Sequence, residues 1–199
     1  MTKIKMCGLR RAEDIEYANM IVPDYIGYVF AKKSRRCVAP EKAQELTRLL
    51  REDIIPVGVF VDEPIENVIA LAQSGTIRIA QLHGNESEEY AAELKERGIT
   101  VIRAFRVSSE SDIAAARSSC ADFVLLDSGG GSGETFDWSL IKAVGRNYFL
   151  AGGLTADNVA DAVKKLRPYA VDASSCLETE GFKDFEKMRA FAEAVRTAE

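Results

Sequence analysis

The sequence has 199 residues, of which 47% are hydrophobic and 29% are charged. Domains usually contain about 100–200 residues, so this length predicts one domain that spans residues 1–199. The 26 basic and 31 acidic side chains give a formal charge of −5, and the basic ones are spread along the chain. A nucleic-acid partner is therefore not expected, because it would favour a concentrated basic patch.

The N-terminal segment and the apolar runs argue against membrane targeting. Met1 is followed by a short strand-like run and not by an apolar signal segment. No run approaches the ~18 apolar residues that a membrane-spanning helix needs. We therefore expect a cytoplasmic protein with no membrane partner.

The reactive side chains are few. The cysteines are Cys7, Cys37, Cys120 and Cys176, without a CxxC pair, and His83 is the single histidine. This set does not predict a zinc site, and a reducing cytosol disfavours disulfides. A lone histidine without a paired nucleophile motif also argues against a Ser-His-Asp mechanism. We expect thiols and carboxylates to carry out most proton transfer, with no metal.

Eight short runs rich in β-branched or aromatic residues predict β-strands. In chain order they are Lys3–Met6, Tyr25–Phe30, Pro56–Val61, Ile77–Leu82, Val101–Val107, Phe123–Leu126, Tyr148–Leu150 and Tyr169–Val171.

Apolar residues three and four apart between these runs predict amphipathic helices. The clearest are Ala43–Leu50, Ile65–Ala72, Ala160–Leu166 and Phe185–Val195, whereas Trp138–Val144 is short and the stretch after Asp112 is rich in alanine. Helix boundaries are predicted from Pro40 as a first-turn residue, from Asn85 with Glu88 as a capping-box-like start, and from Gly75 and Gly98 as left-handed caps.

Eight strand–helix units of about 25 residues each predict an α/β fold, a TIM (β/α)8 barrel near the lower size limit of that fold. An open doubly wound sheet is the alternative, but it would place a glycine-rich turn after its first strand. Here the glycine-rich segments come late, at Gly129–Gly133 and at Gly152 and Gly153. This distribution favours the closed barrel.

Polar and glycine residues follow the predicted strands, at the edge where a barrel carries its active site. Gly152, Gly153, Ser174 and Ser175 follow the last two strands, where backbone N–H groups commonly bind phosphate. Either loop alone could be an ordinary turn or helix cap. The two loops side by side favour a phosphate site.

Cys7 and Asp127 each end a strand and are candidates for a base and an acid. A free cysteine is often a buried apolar filler, and a general base would need a pKa below the usual thiol value, which nearby Lys5 would support. Asp127 follows an apolar strand that could raise its pKa enough to hold a proton, or it could simply cap the next loop. Arg36 could bind a substrate carboxylate or be solvated. His83 is expected to be a hydrogen-bonded wall residue of the substrate-binding site and not the principal base.

Several motifs in this order resemble the phosphoribosylanthranilate isomerase family along nearly the whole chain. They are Lys5–Leu9, Gly27–Phe30 with Lys33–Arg36, Val57–Val61, Gln81–Gly84, Leu125–Asp127, Gly130–Gly133 with Phe136–Trp138, Ala151–Leu154 with Asn158, and Val171–Asp172 with Ser174–Ser175.

The resemblance implies a TIM barrel that performs an Amadori rearrangement of N-(5-phosphoribosyl)anthranilate in tryptophan biosynthesis, without a metal or organic cofactor. It implies that Asp127 protonates the furanose ring oxygen and that Cys7 removes a proton from the neighbouring sugar carbon. Arg36 would bind the anthranilate carboxylate, and Asp172 would touch ribose hydroxyls. The partner is then a small phosphorylated substrate, and the chain is expected to be a monomer or homodimer.

Three features depart from the family pattern. Cys176 stands where glycine is common, Ala31 and Lys32 replace a proline-containing entry to the basic loop, and the loop from Asp127 to Gly130 is short. Cys176 would strain the phosphate loop if that position needed a positive φ.

Rival functions remain. The isomerase of histidine biosynthesis would show a phosphate loop in the first half of the chain as well, and a sugar-phosphate epimerase would need several metal-binding histidines. A catalytically silent phosphoryl-ligand barrel would lack Cys7 or Asp127, and both are present.

Overall fold

The computed structural model describes residues 1–127, 141 and 144–198. Within these ranges, eight parallel strands form a closed barrel in chain order. They are β1 Lys3–Cys7, β2 Tyr25–Val29, β3 Ile55–Phe60, β4 Ile79–Leu82, β5 Thr100–Arg106, β6 Phe123–Asp127, β7 Tyr148–Ala151 and β8 Ala170–Ala173. Because β8 pairs with β1, the predicted barrel is confirmed and the open doubly wound sheet is excluded.

The register of β1 places reactive side chains inside the barrel. Lys5 lies opposite Asp172 on β8, and Cys7 lies opposite Gly27 on β2. Side chains alternate along a strand, so Ile4 and Met6 point outward into the core beneath the helices while Lys5 and Cys7 point inward.

Seven helices surround the strands within the described residues, and none is long and apolar enough to cross a membrane. They are α1 Ala12–Ile21, α2 Pro40–Leu49, α3 Ile65–Gln73, α4 Glu88–Glu96, α5 Glu110–Ser118, α6 Val159–Leu166 and α7 Phe185–Arg196. The predicted segment Trp138–Val144 lies outside the described residues except for residues 141 and 144, as does the loop from residue 128 to 130.

Most predicted helix boundaries are confirmed. Pro40 is the first residue of α2. Gly75 and Gly98 follow α3 and α4 with φ of 71° and 76°, the left-handed conformation that glycine adopts without strain.

The predicted start of α4 is wrong. Ser87, not Asn85, caps this helix, and its hydroxyl oxygen accepts a hydrogen bond of 3.3 Å from the backbone N–H of Tyr90. Asn85 instead donates its backbone N–H to Asp62 Oδ1 at 2.7 Å, which ties together the loops that follow β3 and β4. Glu88 is therefore the first helical residue, two positions before the N3 position that a capping box requires.

An apolar plug fills the amino-terminal half of the barrel. Phe149 is fully buried there, and its ring centroid lies 5.4 Å from that of Tyr25 and 5.7 Å from that of Phe123. The buried residues of the plug are Tyr25, Val57, Ile79, Ile102, Leu125, Phe149, Ala151 and Ala170. The plug closes the barrel floor, so a ligand can enter only from the carboxyl ends of the strands.

A short hairpin follows β8. The one-turn helix Ser175–Leu177 leads into strand β9 Glu178–Thr179, which pairs with β10 Phe182–Lys183. Glu180 and Gly181 form the turn with φ of 52° and 82°.

Candidate active site

A cleft of about 600 Å³ opens at the carboxyl ends of the strands. All the predicted site residues line it: Cys7, Arg36, His83, Asp127, Gly152, Gly153, Asp172, Ser174 and Ser175. They come from strands on every side of the barrel, so the fold brings together residues that are far apart in the sequence.

Cys7 lies at the end of β1, with 8% of its surface exposed. Burial raises the pKa of its thiol, and the ammonium group of Lys5 opposes that shift only in part. The prediction that Lys5 would support the thiolate is therefore right in direction, but the pKa of the ligand-free thiol lies above its ordinary value. At neutral pH the thiolate is therefore the minor form.

Lys5 and Asp172 form an ion pair inside the barrel. The Lys5 side chain is fully buried, and its ammonium donates to both carboxylate oxygens of Asp172 at 3.0 Å. Burial raises the pKa of Asp172, while Lys5 opposes the shift. The Asp172 side chain is still 10% exposed, so one edge of it faces the cleft in which its contact with substrate is predicted.

Gly27 makes room for the thiol. A β-carbon built at this position would lie 2.7 Å from Cys7 Sγ, closer than atoms of this kind approach each other. Gly27 is the register partner of Cys7, so the two residues lie side by side on neighbouring strands. A glycine is therefore required here if the thiol is to keep its position.

His83 connects Asp127 to Gln81. His83 Nε2 lies 3.7 Å from Asp127 Oδ2, and the other ring nitrogen, Nδ1, lies 3.1 Å from Gln81 Nε2. The side chains of His83 and Asp127 are 37% and 27% exposed, whereas Gln81 is 1% exposed. His83 is thus the hydrogen-bonded wall residue that the sequence predicted.

Glu178 holds the guanidinium of Arg36. Arg36 Nε donates to Glu178 Oε1 at 2.6 Å, and Arg36 Nη2 donates to Oε2 at 2.9 Å. Lys183 Nζ also donates to Glu178 Oε1, at 2.8 Å. Burial alone would raise the pKa of Glu178, but these hydrogen bonds outweigh it and leave the pKa below its usual value. Glu178 is a site residue that the sequence analysis missed.

Gly8 brings the backbone after β1 close to Arg36. Its φ is 86°, and a β-carbon there would collide with Cδ of Arg36. Ser174 lies close to the same position, 3.2 Å from that β-carbon, and its hydroxyl donates to the carbonyl oxygen of Cys7 at 3.0 Å. The loops that follow β1, β2 and β8 are therefore packed against one another beneath the cleft.

The loop after β7 has the backbone conformation expected for an anion site. Gly152 and Gly153 have φ of 88° and 64°, which a residue with a β-carbon would adopt only under strain. Asn158, directly before α6, accepts from the backbone N–H of Thr155 at 2.8 Å and donates to the Gly153 carbonyl at 2.9 Å. These bonds fix the loop with the N-terminus of α6 close behind it.

The loop after β8 tolerates Cys176. This residue lies in the one-turn helix Ser175–Leu177 and is not among the residues with positive φ. The departure from the family pattern therefore causes no strain in the loop that carries Ser174 and Ser175.

Within the described ranges, no group of three His, Cys, Asp or Glu side chains converges in a way that could hold a metal ion. The groups that line the cleft include a thiol, carboxylates, an imidazole, a guanidinium, hydroxyls and the backbone of two glycines.

Comparisons with known proteins show the family of the chain. Residues 4–194 match the family model described as N-(5'-phosphoribosyl)anthranilate (PRA) isomerase. N-(5'-phosphoribosyl)anthranilate isomerase from Thermoanaerobacter sp. (strain X514) is 45% identical over 203 aligned positions, which cover 98% of both chains.

Solved structures give the same result. Phosphoribosylanthranilate isomerase from Thermotoga maritima superposes with a TM-score of 0.92 at 36% identity, covering 99% of this chain and 100% of the other. A phosphoribosylanthranilate isomerase in complex with reduced 1-(o-carboxyphenylamino)-1-deoxyribulose 5-phosphate superposes with a TM-score of 0.90 at 36% identity and the same coverage. With its closed barrel, its shared motifs and this full-length similarity, the chain belongs to the phosphoribosylanthranilate isomerase family.

Proposed function

We propose that this chain isomerises N-(5'-phosphoribosyl)anthranilate to 1-(o-carboxyphenylamino)-1-deoxyribulose 5-phosphate in tryptophan biosynthesis. The observation that carries the proposal is the order of the residues around the rim. Asp127 ends β6, the glycine and serine loops follow β7 and β8, and Cys7 ends β1, so the candidate phosphate loops lie between the acid and the base. A substrate bound by its phosphate would present its sugar between the two groups.

The proposed reaction begins with the opening of the furanose ring. Asp127, in its protonated form, donates a proton to the ring oxygen, and the bond from that oxygen to C1 breaks. The nitrogen lone pair forms a C1=N iminium, which draws electron density from the neighbouring C2–H bond. This step needs an acid close to the ring oxygen, a role that a carboxyl group at a barrel mouth can perform.

Proton removal follows on the other side of the sugar. The Cys7 thiolate takes the proton from C2, and the electrons form a C1=C2 enolamine and neutralise the iminium nitrogen. The enolamine then gains a proton at C1 and loses one from the C2 hydroxyl to give the ketone. No net proton or electron is gained or lost, so the sequence needs no redox partner.

Arg36 is proposed to bind the anthranilate carboxylate. Glu178 accepts from the edge of the guanidinium formed by Nε and Nη2, so the N–H groups of Nη1 are the ones proposed to bind the substrate carboxylate. The Arg36 side chain is 19% exposed and lines the cleft. An arginine fixed in this way loses less side-chain entropy when it binds a carboxylate than a mobile one would.

The phosphate is proposed to lie against the loops of Gly152, Gly153, Ser174 and Ser175, where glycine backbones expose N–H groups and serines supply hydroxyls. Asp172 remains a proposed contact of the ribose hydroxyls. We also propose that residues 1–199 form one catalytic domain, while the cytoplasmic location and the choice between monomer and homodimer stay predictions.

The decay of phosphoribosylanthranilate fluorescence tests the proposed function. The substrate is generated enzymatically and mixed with purified wild-type protein or with the Asp127→Asn variant. We expect rapid decay with the wild type and a rate at least ~10²-fold lower with the variant, the usual scale for a general acid. A folded wild-type protein that leaves the fluorescence unchanged would contradict the proposal and favour another phosphosugar barrel or a silent binding protein.

A further inference from the structure

Gln81 is buried in the cleft wall without an evident structural reason. It is 1% exposed and faces inward on β4, two positions before His83. Within the described part of the chain, its Oε1 has no hydrogen-bond partner, although Nε2 lies 3.1 Å from His83 Nδ1. A buried, unsatisfied amide oxygen costs about 1–3 kcal/mol, so the placement of this side chain needs an explanation.

The contact between Gln81 and His83 decides which nitrogen of the ring carries the proton. An amide nitrogen can only donate, so His83 Nδ1 must accept, and the proton of the neutral ring must lie on Nε2. Nε2 in turn lies 3.7 Å from Asp127 Oδ2. If the amide were turned around, Nδ1 would carry the proton, and Nε2 would face Asp127 as an acceptor.

The contact with Asp127 favours the first arrangement. The carboxylate of Asp127, 3.7 Å away, attracts a protonated Nε2, and that tautomer leaves Nδ1 free to accept from the amide nitrogen of Gln81. Asp172 lies close enough to both groups for their charges to act on its pKa, which His83 lowers and Asp127 raises.

We propose that Gln81 is a positioning residue for the isomerisation, because it holds His83 in the tautomer whose Nε2–H points at Asp127. This inference rests on the proposed role of Asp127 as the acid. As Asp127 gives its proton to the furanose oxygen of the substrate, a hydrogen bond donated by Nε2–H of His83 stabilises the carboxylate that forms. The same tautomer leaves Nε2 without a lone pair, so His83 cannot take the acid's proton before the substrate does.

The single histidine of the chain makes the tautomer directly observable. Nitrogen-15 NMR of protein labelled in its histidine ring distinguishes a proton on Nδ1 from one on Nε2, and every ring signal comes from His83. We expect the neutral ring of the wild type to carry its proton on Nε2. In Gln81→Glu, a carboxylate that can only accept should move the proton to Nδ1, and in Gln81→Met the preference should be lost.

Activity tests whether the tautomer matters. We expect kcat to fall about 10-fold or more in Gln81→Met, less than the ~10²–10³-fold of removing a transition-state donor outright, because His83 itself remains. Because Gln81 acts through His83, the loss should not add to that of His83→Ala in the double variant. A purely structural role for Gln81 would instead give additive losses and an unchanged ring tautomer.

The outcomes separate this inference from the proposed function. If the wild-type ring carries its proton on Nδ1, or if Gln81→Met keeps the wild-type tautomer and kcat, the positioning role is overturned while the isomerase activity stands. The NMR spectra need no turnover, so they decide the tautomer even if the wild type does not isomerise phosphoribosylanthranilate. Should Gln81→Glu fail to fold, the wild type and Gln81→Met suffice.

Discussion

The charge balance around Cys7 sets the chemistry of the site at the scale of single residues. Burial raises the pKa of the thiol, and Lys5 is the cation that opposes this shift most strongly. A thiolate base with a raised pKa predicts that kcat/KM rises with pH as the thiol of the free enzyme ionises. The ion pair of Lys5 with Asp172 therefore supports the base and also occupies the barrel interior.

We expect Lys5→Met to move this rise in kcat/KM to higher pH, because the thiol loses the cation that stabilises its charged form. Each pH unit of displacement lowers kcat/KM at neutral pH by about 10-fold. The measurement is the pH profile of kcat/KM. If Lys5→Met does not fold with Asp172 left unpaired, Lys5→Met/Asp172→Asn removes both charges.

Lys3→Met is the matched control, since Lys3 lies on the same strand and pairs with Asp24 at the other end of the barrel. Its profile should match that of the wild type. A Lys5→Met profile that also matches would contradict the role of Lys5 in stabilising the thiolate base.

The site residues that the sequence did not predict depend on contacts that no local pattern reveals. Glu178 lies in the β9–β10 hairpin, after the last strand of the barrel, in a segment without a recognisable motif. Its hydrogen-bond partner Arg36 is 142 positions away in the chain. Gln81 stands in a predicted strand beside His83, so its inward direction could have been inferred from the alternation of side chains. Its contact with the ring could not.

At the scale of elements, β2 must approach β1 closely for the thiol to fit. Gly27→Ala places a β-carbon 2.7 Å from Cys7 Sγ, so we expect it to displace the thiol and lower kcat by about 10-fold or more. Circular dichroism should show an intact fold.

Gly98→Ala is the contrasting variant. No atom lies within 4 Å of its added β-carbon, but its φ of 76° penalises alanine. This variant should lower the melting temperature and leave kcat unchanged. If Gly27→Ala kept the wild-type kcat while Gly98→Ala lowered it, the position of the thiol would not be set by β2.

The cap of α4 offers a test of the corrected helix start. Removing the hydroxyl in Ser87→Ala should lower the free energy of unfolding by about 0.5–2 kcal/mol, because the N–H of Tyr90 loses its acceptor. Asn85→Ala should change it much less, since Asn85 contributes a backbone N–H that alanine retains. Urea denaturation measures both, and equal losses would contradict the assignment of Ser87 as the cap.

Strand positions were predictable to within one or two residues, and the differences have local causes. Ile77, the predicted start of β4, lies before that strand because its N–H bonds to the Leu71 carbonyl at the end of α3. Hydrophobicity alone cannot distinguish a buried loop residue from a buried strand residue.

At the scale of the whole molecule, the order of strand and helix signals was enough to predict a closed barrel. Once the barrel closes, residues that follow separate strands must meet at one rim, which explains why Cys7, Asp127 and Asp172 share a cleft. The order could not predict the protonation of each group there. Burial and the ion pair of Lys5 with Asp172 set the pKa of Cys7, and the amide of Gln81 acts on the tautomer of His83. All three depend on packing.

The central claim is that Cys7 removes the sugar proton. The most direct measurement is kcat for Cys7→Ala with phosphoribosylanthranilate, beside Cys7→Ser and with binding of the reduced product analogue as a check that the cleft is intact. We predict that Cys7→Ala binds the analogue and loses about 10²–10⁴-fold or more in kcat. A Cys7→Ala protein with wild-type kcat would contradict the account.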